Sequence, residues 1–375
     1  MSKYIDEKTK RLLIGLGAVV GLILLIIIII LIINSLKPKT LSYTGIEDKM
    51  VEAAKLYYAK NNESLPVNEN EEIEVSVSTL VEAGYMKDLS KYQEDRKVSC
   101  SGSVIVTKGG EYYNYAPKLD CGDKYSTKYL FEKLLGTVVS KDDGLYKTTE
   151  YSPKGTVNTY VYKGDYVDNY VKLNGVVWRI VKMDSKFNLT LIENDYDRKV
   201  DYKGPWDNRY NVQKSSDIGI NDYYKSVMKR TIDQEVYDKI DSDTKAKLLM
   251  KDICIGKRST TETRKDGSVE CSSTLSNEYL SLLTAYDFMN ASLDSNCKAI
   301  LDKSCGNYNY LTAYDKSYWL LTANSENTYG GYKASSYVST SNLSTSAIAR
   351  LVVNTTKNLV YVSGTGTETD PYIVK

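Results

Sequence analysis

The chain has 375 residues, and its 49 basic side chains against 48 acidic ones leave a net charge of +1. This balance creates no field that would attract nucleic acid, so we expect no nucleic-acid partner. Histidine is absent, which excludes Ser-His-Asp and Cys-His catalysis and most catalytic zinc sites. Catalysis by carboxylates, lysine or a lone cysteine is left open, but the commonest general base is missing. We therefore expect a protein that is not an enzyme, and we assign no catalytic residue, metal or cofactor.

An unbroken apolar run covers residues 12–33 and directly follows Lys8, Lys10 and Arg11. At about 1.5 Å of rise per residue, a helix of this length spans the roughly 30 Å hydrocarbon core of a bilayer. The run is too long for a cleaved signal peptide and is not followed by a small-x-small cleavage site, so it predicts a retained anchor. The excess of basic residues before it places residues 1–11 in the cytoplasm. We expect a single-pass cell-membrane protein whose partner is the bilayer and whose remaining domains are extracellular.

All six cysteines follow the apolar run and fall into three pairs that are local in sequence. An even, clustered set in an exported region predicts disulfides. Six cysteines allow fifteen connectivities. Short loops favour Cys100–Cys121, Cys254–Cys271 and Cys297–Cys305.

The first outward region, residues 41–124, has the pattern of a small α+β domain. Apolar residues recur with helical spacing over 46–57, and Thr44 is the expected N-cap. A second short helix is predicted over 75–85. The strand-like residues that follow predict a hairpin that turns at Gly109-Gly110.

An anchor helix, a following helix and a disulfide-closed hairpin resemble the minimal layout of type IV pilins and pseudopilins. The processing motif of that family, with its glutamate, is absent before the apolar run, and Pro38 interrupts a continuous stalk helix. The resemblance implies a pilin-like stalk domain over 41–124 rather than a subunit that polymerises. A connecting linker is expected over 125–142.

The last region, residues 143–375, carries strand patterns at both ends and helical patterns between them. The strand patterns cover 159–162, 170–173, 176–183, 189–192, 318–322, 348–353 and 359–362. The helical patterns cover 220–228, 231–240 and 284–291. Such an arrangement predicts an α+β domain whose terminal strands pair.

Four motifs of this region occur in the order found in a known family. They are Asn169-Tyr-Val-Lys-Leu-Asn-Gly-Val-Val-Trp-Arg-Ile, Leu282-Leu-Thr-Ala-Tyr-Asp-Phe, Tyr318-Trp-Leu-Leu-Thr and Ser363-Gly-Thr-Gly-Thr-Glu-Thr-Asp-Pro-Tyr-Ile-Val. Together they resemble an uncharacterised domain that is common in surface proteins of Gram-positive bacteria. That family is similar to the C-type-lectin-like and formylglycine-generating-enzyme folds, which implies a lectin-like α+β core over 143–375. One departure is Arg350-Leu351, where the family usually has Arg-Pro.

The three tryptophans and one neighbouring arginine divide into core and surface candidates. A structural role in the core is expected for those in or beside apolar runs, which are Trp178, Arg179 and Trp319. Trp206 lies in a polar loop before Asp207 and Asn208, and these three residues are the candidate ligand-binding set.

The Trp206-Asp-Asn triplet is similar to the Trp-Asn-Asp calcium triplet of sugar-binding C-type lectins, with its polar residues reversed. The partner tripeptide of those lectins is absent, so we expect no calcium site. Formylglycine-generating enzymes use a close cysteine pair, and Cys297 and Cys305 are eight residues apart and do not match it. No catalytic residue is carried over.

The leading interpretation is a non-enzymatic surface protein that recognises or adheres to a glycan or protein ligand. An alternative is a cell-envelope enzyme acting on surface polymers, which would need two carboxylates about 5–9 Å apart in a cleft. A third is a minor pseudopilin-like component of a secretion or uptake system.

Overall fold

The computed structural model describes residues 24–28, 40–194, 202–313 and 316–375. The predicted anchor, 12–33, lies outside these ranges except for residues 24–28, which are helical and whose side chains are about half exposed. Among the helices within the described ranges, none has both the length and the apolar character needed to cross a bilayer.

The described chain is α+β and forms two units, which we call the first unit (residues 40–124) and the second unit (residues 125–375). The elements of the first unit are α1 (Tyr43–Lys60), β1 (Glu72–Ser76), α2 (Val77–Glu82), β2 (Ser101–Gly109) and β3 (Tyr112–Asp120). Its antiparallel sheet has the order β1-β2-β3, and the predicted hairpin is β2-β3. Helix α1 packs the predicted apolar face, which includes Ile46 and Met50, on this sheet.

Two local expectations for the first unit are wrong. The N-cap of α1 is Ser42, whose hydroxyl accepts from the Gly45 N–H at 3.1 Å, and not Thr44. The helix predicted over 75–85 is shorter, because residues 72–76 pair with β2 and their backbone groups are used by the sheet. Ser76 then caps α2.

The elements of the second unit are numerous and short. Its strands are β4 (Val138–Val139), β5 (Gly144–Ser152), β6 (Gly155–Lys163), β7 (Tyr170–Leu173), β8 (Val176–Met183), β9 (Leu189–Glu193), β10 (Tyr202–Pro205), β11 (Lys251–Cys254), β12 (Thr274–Glu278), β13 (Leu280–Leu282), β14 (Tyr318–Ala323), β15 (Gly330–Ala334), β16 (Val338–Asn342), β17 (Ser346–Ala349), β18 (Leu351–Thr355), β19 (Tyr361–Ser363) and β20 (Tyr372–Val374). Its helices are α3 (Leu130–Leu135), α4 (Val227–Thr231), α5 (Ser242–Lys245) and α6 (Ala285–Asn290).

Two sheets share one large core in the second unit. One runs β13-β18-β9-β8-β6-β5-β4, the other runs β10-β17-β14-β15-β16, and β11-β12 form a separate ribbon. The predicted pairing of terminal strands is confirmed, since β18 pairs with β9 and β20 pairs with β7. The helical patterns over 220–228 and 231–240 correspond to short helical pieces: a 3-10 turn (Tyr223–Lys225), α4, a π-helical turn (Ile232–Val236) and a second 3-10 turn (Tyr237–Lys239).

The segment expected to be a linker, residues 125–142, is folded as part of the second unit. Leu130 and Leu134 of α3 are fully buried in the core of the second unit, and β4 pairs with β5. The three disulfides have the predicted pairing.

The two units contact each other directly. The Tyr129 hydroxyl donates to the Pro117 carbonyl at 3.1 Å, within a small apolar cluster with Ala116 and Val360. At the end of the chain, Lys375 forms an ion pair with Asp48 at 2.7 Å. The first unit is therefore docked on the second through both apolar and charged contacts.

Candidate functional site

A cavity of about 740 Å³ lies where the two units meet. This volume falls within the range of about 300–1,000 Å³ that is typical of small-molecule sites. The second unit contributes the β5-β6 hairpin, β8, β18, the ribbon β11-β12 and the start of α6, and the first unit contributes Glu69, Asn70 and Glu72.

Lys182 lies at the cavity wall between two carboxylates. Its Nζ is 3.1 Å from Glu150 Oε1 and 2.9 Å from Asp287 Oδ1. A register shift in β8, between Ile180 and Lys182, changes the direction of the strand just before this lysine. Asp287 is held by a capping box with Thr284, whose hydroxyl donates to Asp287 Oδ2 at 2.7 Å. Sheet and helix together therefore fix the three charges.

These charges determine the protonation state of Lys182. Burial alone would lower the pKa of Lys182, but the attraction of Asp287 and Glu150 outweighs it and raises that pKa above its ordinary value. The amine is therefore a fixed cation near neutral pH and is a poor nucleophile or base. The Lys182 ammonium forms ion pairs with both Glu150 and Asp287.

A hydrogen-bonded chain leads from this cluster away from the cavity. The Asn290 amide donates to the Tyr286 hydroxyl at 3.1 Å, and Lys163 Nζ donates to Asn290 Oδ1 at 2.8 Å. Burial raises the pKa of Tyr286, and the neighbouring Glu150 carboxylate raises it further. Burial lowers the pKa of Lys163. These groups extend the polar wall into the second unit.

Two further lysines on the lining also form ion pairs. Lys251 Nζ is 2.7 Å from Asp184, and Lys357 Nζ is 3.1 Å from Glu72. Burial alone would raise the pKa of Asp184, but Lys251 outweighs it and lowers that pKa. Paired charges present hydrogen-bonding atoms while creating little net field.

The part of the cavity wall that the first unit contributes is fixed by a hydrogen bond from the second unit. The Tyr279 hydroxyl donates to Glu69 Oε2 at 2.6 Å, and the Gly110 N–H donates to the same oxygen at 2.9 Å. Burial would raise the pKa of Glu69, but these hydrogen bonds and Lys108 lower it overall. The neighbouring β2-β3 turn approaches closely, since a Cβ on Gly109 would lie 2.7 Å from the Leu248 carbonyl oxygen.

The predicted ligand-binding residues lie elsewhere. Trp206 is only 1% exposed, and its indole N–H donates to the Leu320 carbonyl at 3.2 Å, so the expected exposed stacking surface is wrong. Asp207 is fully buried and accepts from the Ile220 N–H at 2.7 Å, which organises its own loop. Asn208 is exposed. None of the three residues lines the cavity.

The three predicted structural residues are all buried. Trp178 is 3% exposed, Arg179 is 7% exposed and Trp319 is fully buried. The Arg179 guanidinium lies between two aromatic rings, 4.1 Å from the centroid of Tyr170 and 4.7 Å from that of Tyr310. Burial lowers the pKa of Arg179.

The cluster around Lys182 was missed from the sequence. Its only local signal is the Thr284-Ala-Tyr-Asp287 capping box, which lies inside one of the four motifs noted above. Lys182 and Glu150 are brought together by the pairing of β8 with β6 and of β6 with β5. Because this contact arises from strand pairing, no sequence pattern links the two residues. Within the described ranges, no group of three or more carboxylate or cysteine side chains has a geometry that would hold a metal ion.

No family model, curated protein or solved structure matches this chain. The resemblances to pilins and to the lectin-like surface domain therefore stay predictions.

Proposed function

We propose that the chain is a surface recognition protein, held in the cell membrane by residues 12–33, that binds a glycan or protein ligand extracellularly. In this proposal the first unit is a pilin-like stalk and the second is a lectin-like recognition domain. The apolar run and the three disulfides support the extracellular placement.

The observation that carries the proposal is the cavity with its paired charges. Lys182, Glu150 and Asp287 neutralise one another in part and are fixed by the sheet and by α6. A rigid set of donors and acceptors on a concave wall suits binding, because little side-chain freedom is lost when a ligand binds.

A second candidate, an enzyme acting on envelope polymers, draws on the same residues. Since Glu150 Oε1 and Asp287 Oδ1 both contact the Lys182 ammonium, these two oxygens lie no more than about 6 Å apart. This upper limit overlaps the lower end of the range for carboxylate pairs of glycoside hydrolases, which are about 5–9 Å apart. Lys182 argues against this candidate, because its ammonium occupies the space between the carboxylates and keeps both engaged.

The test is a binding screen with the full chain in lipid nanodiscs against glycan arrays and surface proteins. Tyr151 lines the cavity and is 44% exposed, so Tyr151→Ala should weaken binding without destabilising the fold. Tyr166→Ala is the matched control, since Tyr166 is 90% exposed and lies outside the cavity. Absence of any binding by the wild type would overturn the proposal.

The enzyme candidate has its own assay. Release of reducing ends from purified cell-wall polymers, lost in Glu150→Gln, would replace the binding role by a catalytic one. No release by the wild type would remove this candidate.

A further inference from the structure

Among the charges on the cavity wall, the half-buried lysines leave little for a charged ligand to pair with, while Lys154 and Lys186 have no ion pair among the described residues but are exposed to solvent. Lys182 is satisfied by Glu150 and Asp287, and Lys251 is satisfied by Asp184. A charged ligand group would lose its hydration and would have to displace one of these partners. The free energy lost through desolvation would exceed the electrostatic attraction gained. The wall therefore favours an uncharged ligand.

The remaining lining is rich in groups that pair with hydroxyls. It includes Ser152, Thr190, Asn277, Ser281, Thr284 and Asn354. The hydroxyls of Ser152, Thr190 and Thr284 already donate to protein acceptors, which leaves them to accept from a ligand. Hydroxyl and amide side chains both donate and accept, as sugar hydroxyls do. Tyr151, which is 44% exposed, adds an aromatic ring, against which the apolar face of a sugar ring packs well.

One wall of the cavity exists only when the two units are docked. Asn70 adopts a left-handed backbone conformation (φ 62°). Its amide donates to the Met250 carbonyl at 2.6 Å, and its Oδ1 accepts from the Met250 N–H at 3.1 Å. On either side, Glu69 is held by Tyr279, and Glu72 is held by Lys357. The second unit thus sets the position of the segment 69–72, which lines the cavity.

From these observations we propose that the cavity binds an uncharged, hydroxyl-rich ligand of the oligosaccharide class, and that the segment 69–72 of the first unit is part of the binding site. This inference rests on the proposed recognition function. Binding then requires docking of the two units, so the first unit acts as a component of the receptor and not only as a spacer.

The ligand class is tested by calorimetry with the full chain in nanodiscs. The probes are neutral glucose and N-acetylglucosamine oligomers, with oligogalacturonides as their acidic counterparts. We expect the neutral oligomers to bind, with an affinity that changes less than about twofold between low and high salt because no net charge is involved. Binding of only acidic oligomers, weakened by salt, would overturn the class, and so would binding of a protein but of no oligosaccharide. Neither result would overturn the recognition role.

The composite site is tested by weakening the docking contacts. Asn70→Gly tolerates the left-handed backbone and removes both hydrogen bonds to Met250, and Tyr279→Phe removes the hydrogen bond to Glu69. We expect the double variant to bind at least about tenfold more weakly, which corresponds to about 1.4 kcal/mol. Lys49→Ala, on an exposed ion pair of the first unit, is the control and should bind as the wild type does.

Hydrogen exchange over residues 66–72 reports docking in the same samples, and the melting temperature reports the fold. Glu72→Lys is a second variant, since it places a like charge against Lys357 and alters the wall directly. Unchanged affinity in both variants would overturn the composite site, while binding by the wild type would leave the recognition function standing.

Discussion

Arg258 and Glu270 form a bidentate ion pair in which both side chains are almost completely buried, at 0% and 2% exposure. The Arg258 Nε donates to Glu270 Oε1 at 2.7 Å, and its Nη2 donates to Oε2 at 3.0 Å. The same guanidinium also donates to the carbonyls of Glu262 and Arg264. Since Glu270 lines the cavity, this pair connects the loop 258–270 to the candidate site.

Glu270→Gln should destabilise the protein by about 3–5 kcal/mol, because it leaves the buried Arg258 charge without its counter-ion. Urea unfolding measures the loss. Glu262→Gln is the matched control in the same loop, since its partner Arg264 is 61% exposed and an exposed pair of this kind contributes little to stability. Similar losses in both variants would contradict the role assigned to the buried pair.

Lys182→Met should likewise cost about 3–5 kcal/mol, because Glu150 and Asp287 would face each other without the cation that neutralises them. Lys186→Met, at an exposed position in the following turn, is the control and should stay within about 0.5 kcal/mol of the wild type. A wild-type free energy of unfolding in the Lys182 variant would show that the two carboxylates do not depend on this lysine.

The contribution of Lys182 should also depend on pH in a defined direction. Its pKa is raised by Asp287 and Glu150 against the opposing effect of burial. A raised pKa stabilises the folded state fully below the unfolded value, about 10.4, and this stabilisation is lost as pH rises through the folded value. The stability difference between wild type and Lys182→Met should therefore hold from neutral pH to about pH 10 and shrink only above it. A difference that disappears by about pH 9 would contradict this assignment.

The sequence predicted those features that depend on neighbours in the chain. The β2-β3 hairpin, helix α1 and all three disulfides follow from local periodicity, turn residues and short loops. The ordering of strands and helices was sufficient for the α+β class and for the pairing of terminal strands, such as β18 with β9.

The candidate site depends on contacts between residues far apart in the chain, and no local pattern encodes them. Glu69 and Tyr279, which hold one wall, are separated by 210 residues. Trp206 is followed by polar residues, yet its indole donates to the Leu320 carbonyl 114 residues away. The polar sequence of this loop therefore predicts an exposed Trp206, whereas the side chain is buried.

Trp206→Ala should consequently lower stability rather than act on ligand binding alone. The indole is buried, packs near the Tyr223 ring at 5.6 Å and donates a hydrogen bond, so its removal should cost about 3–5 kcal/mol. Asn208→Ala, two residues further along the same loop and exposed, should change stability by no more than about 0.5 kcal/mol. Urea unfolding and ligand titration on both variants separate the two roles. Loss of binding in Trp206→Ala at unchanged stability would restore Trp206 as a ligand-contacting residue and would contradict the buried position.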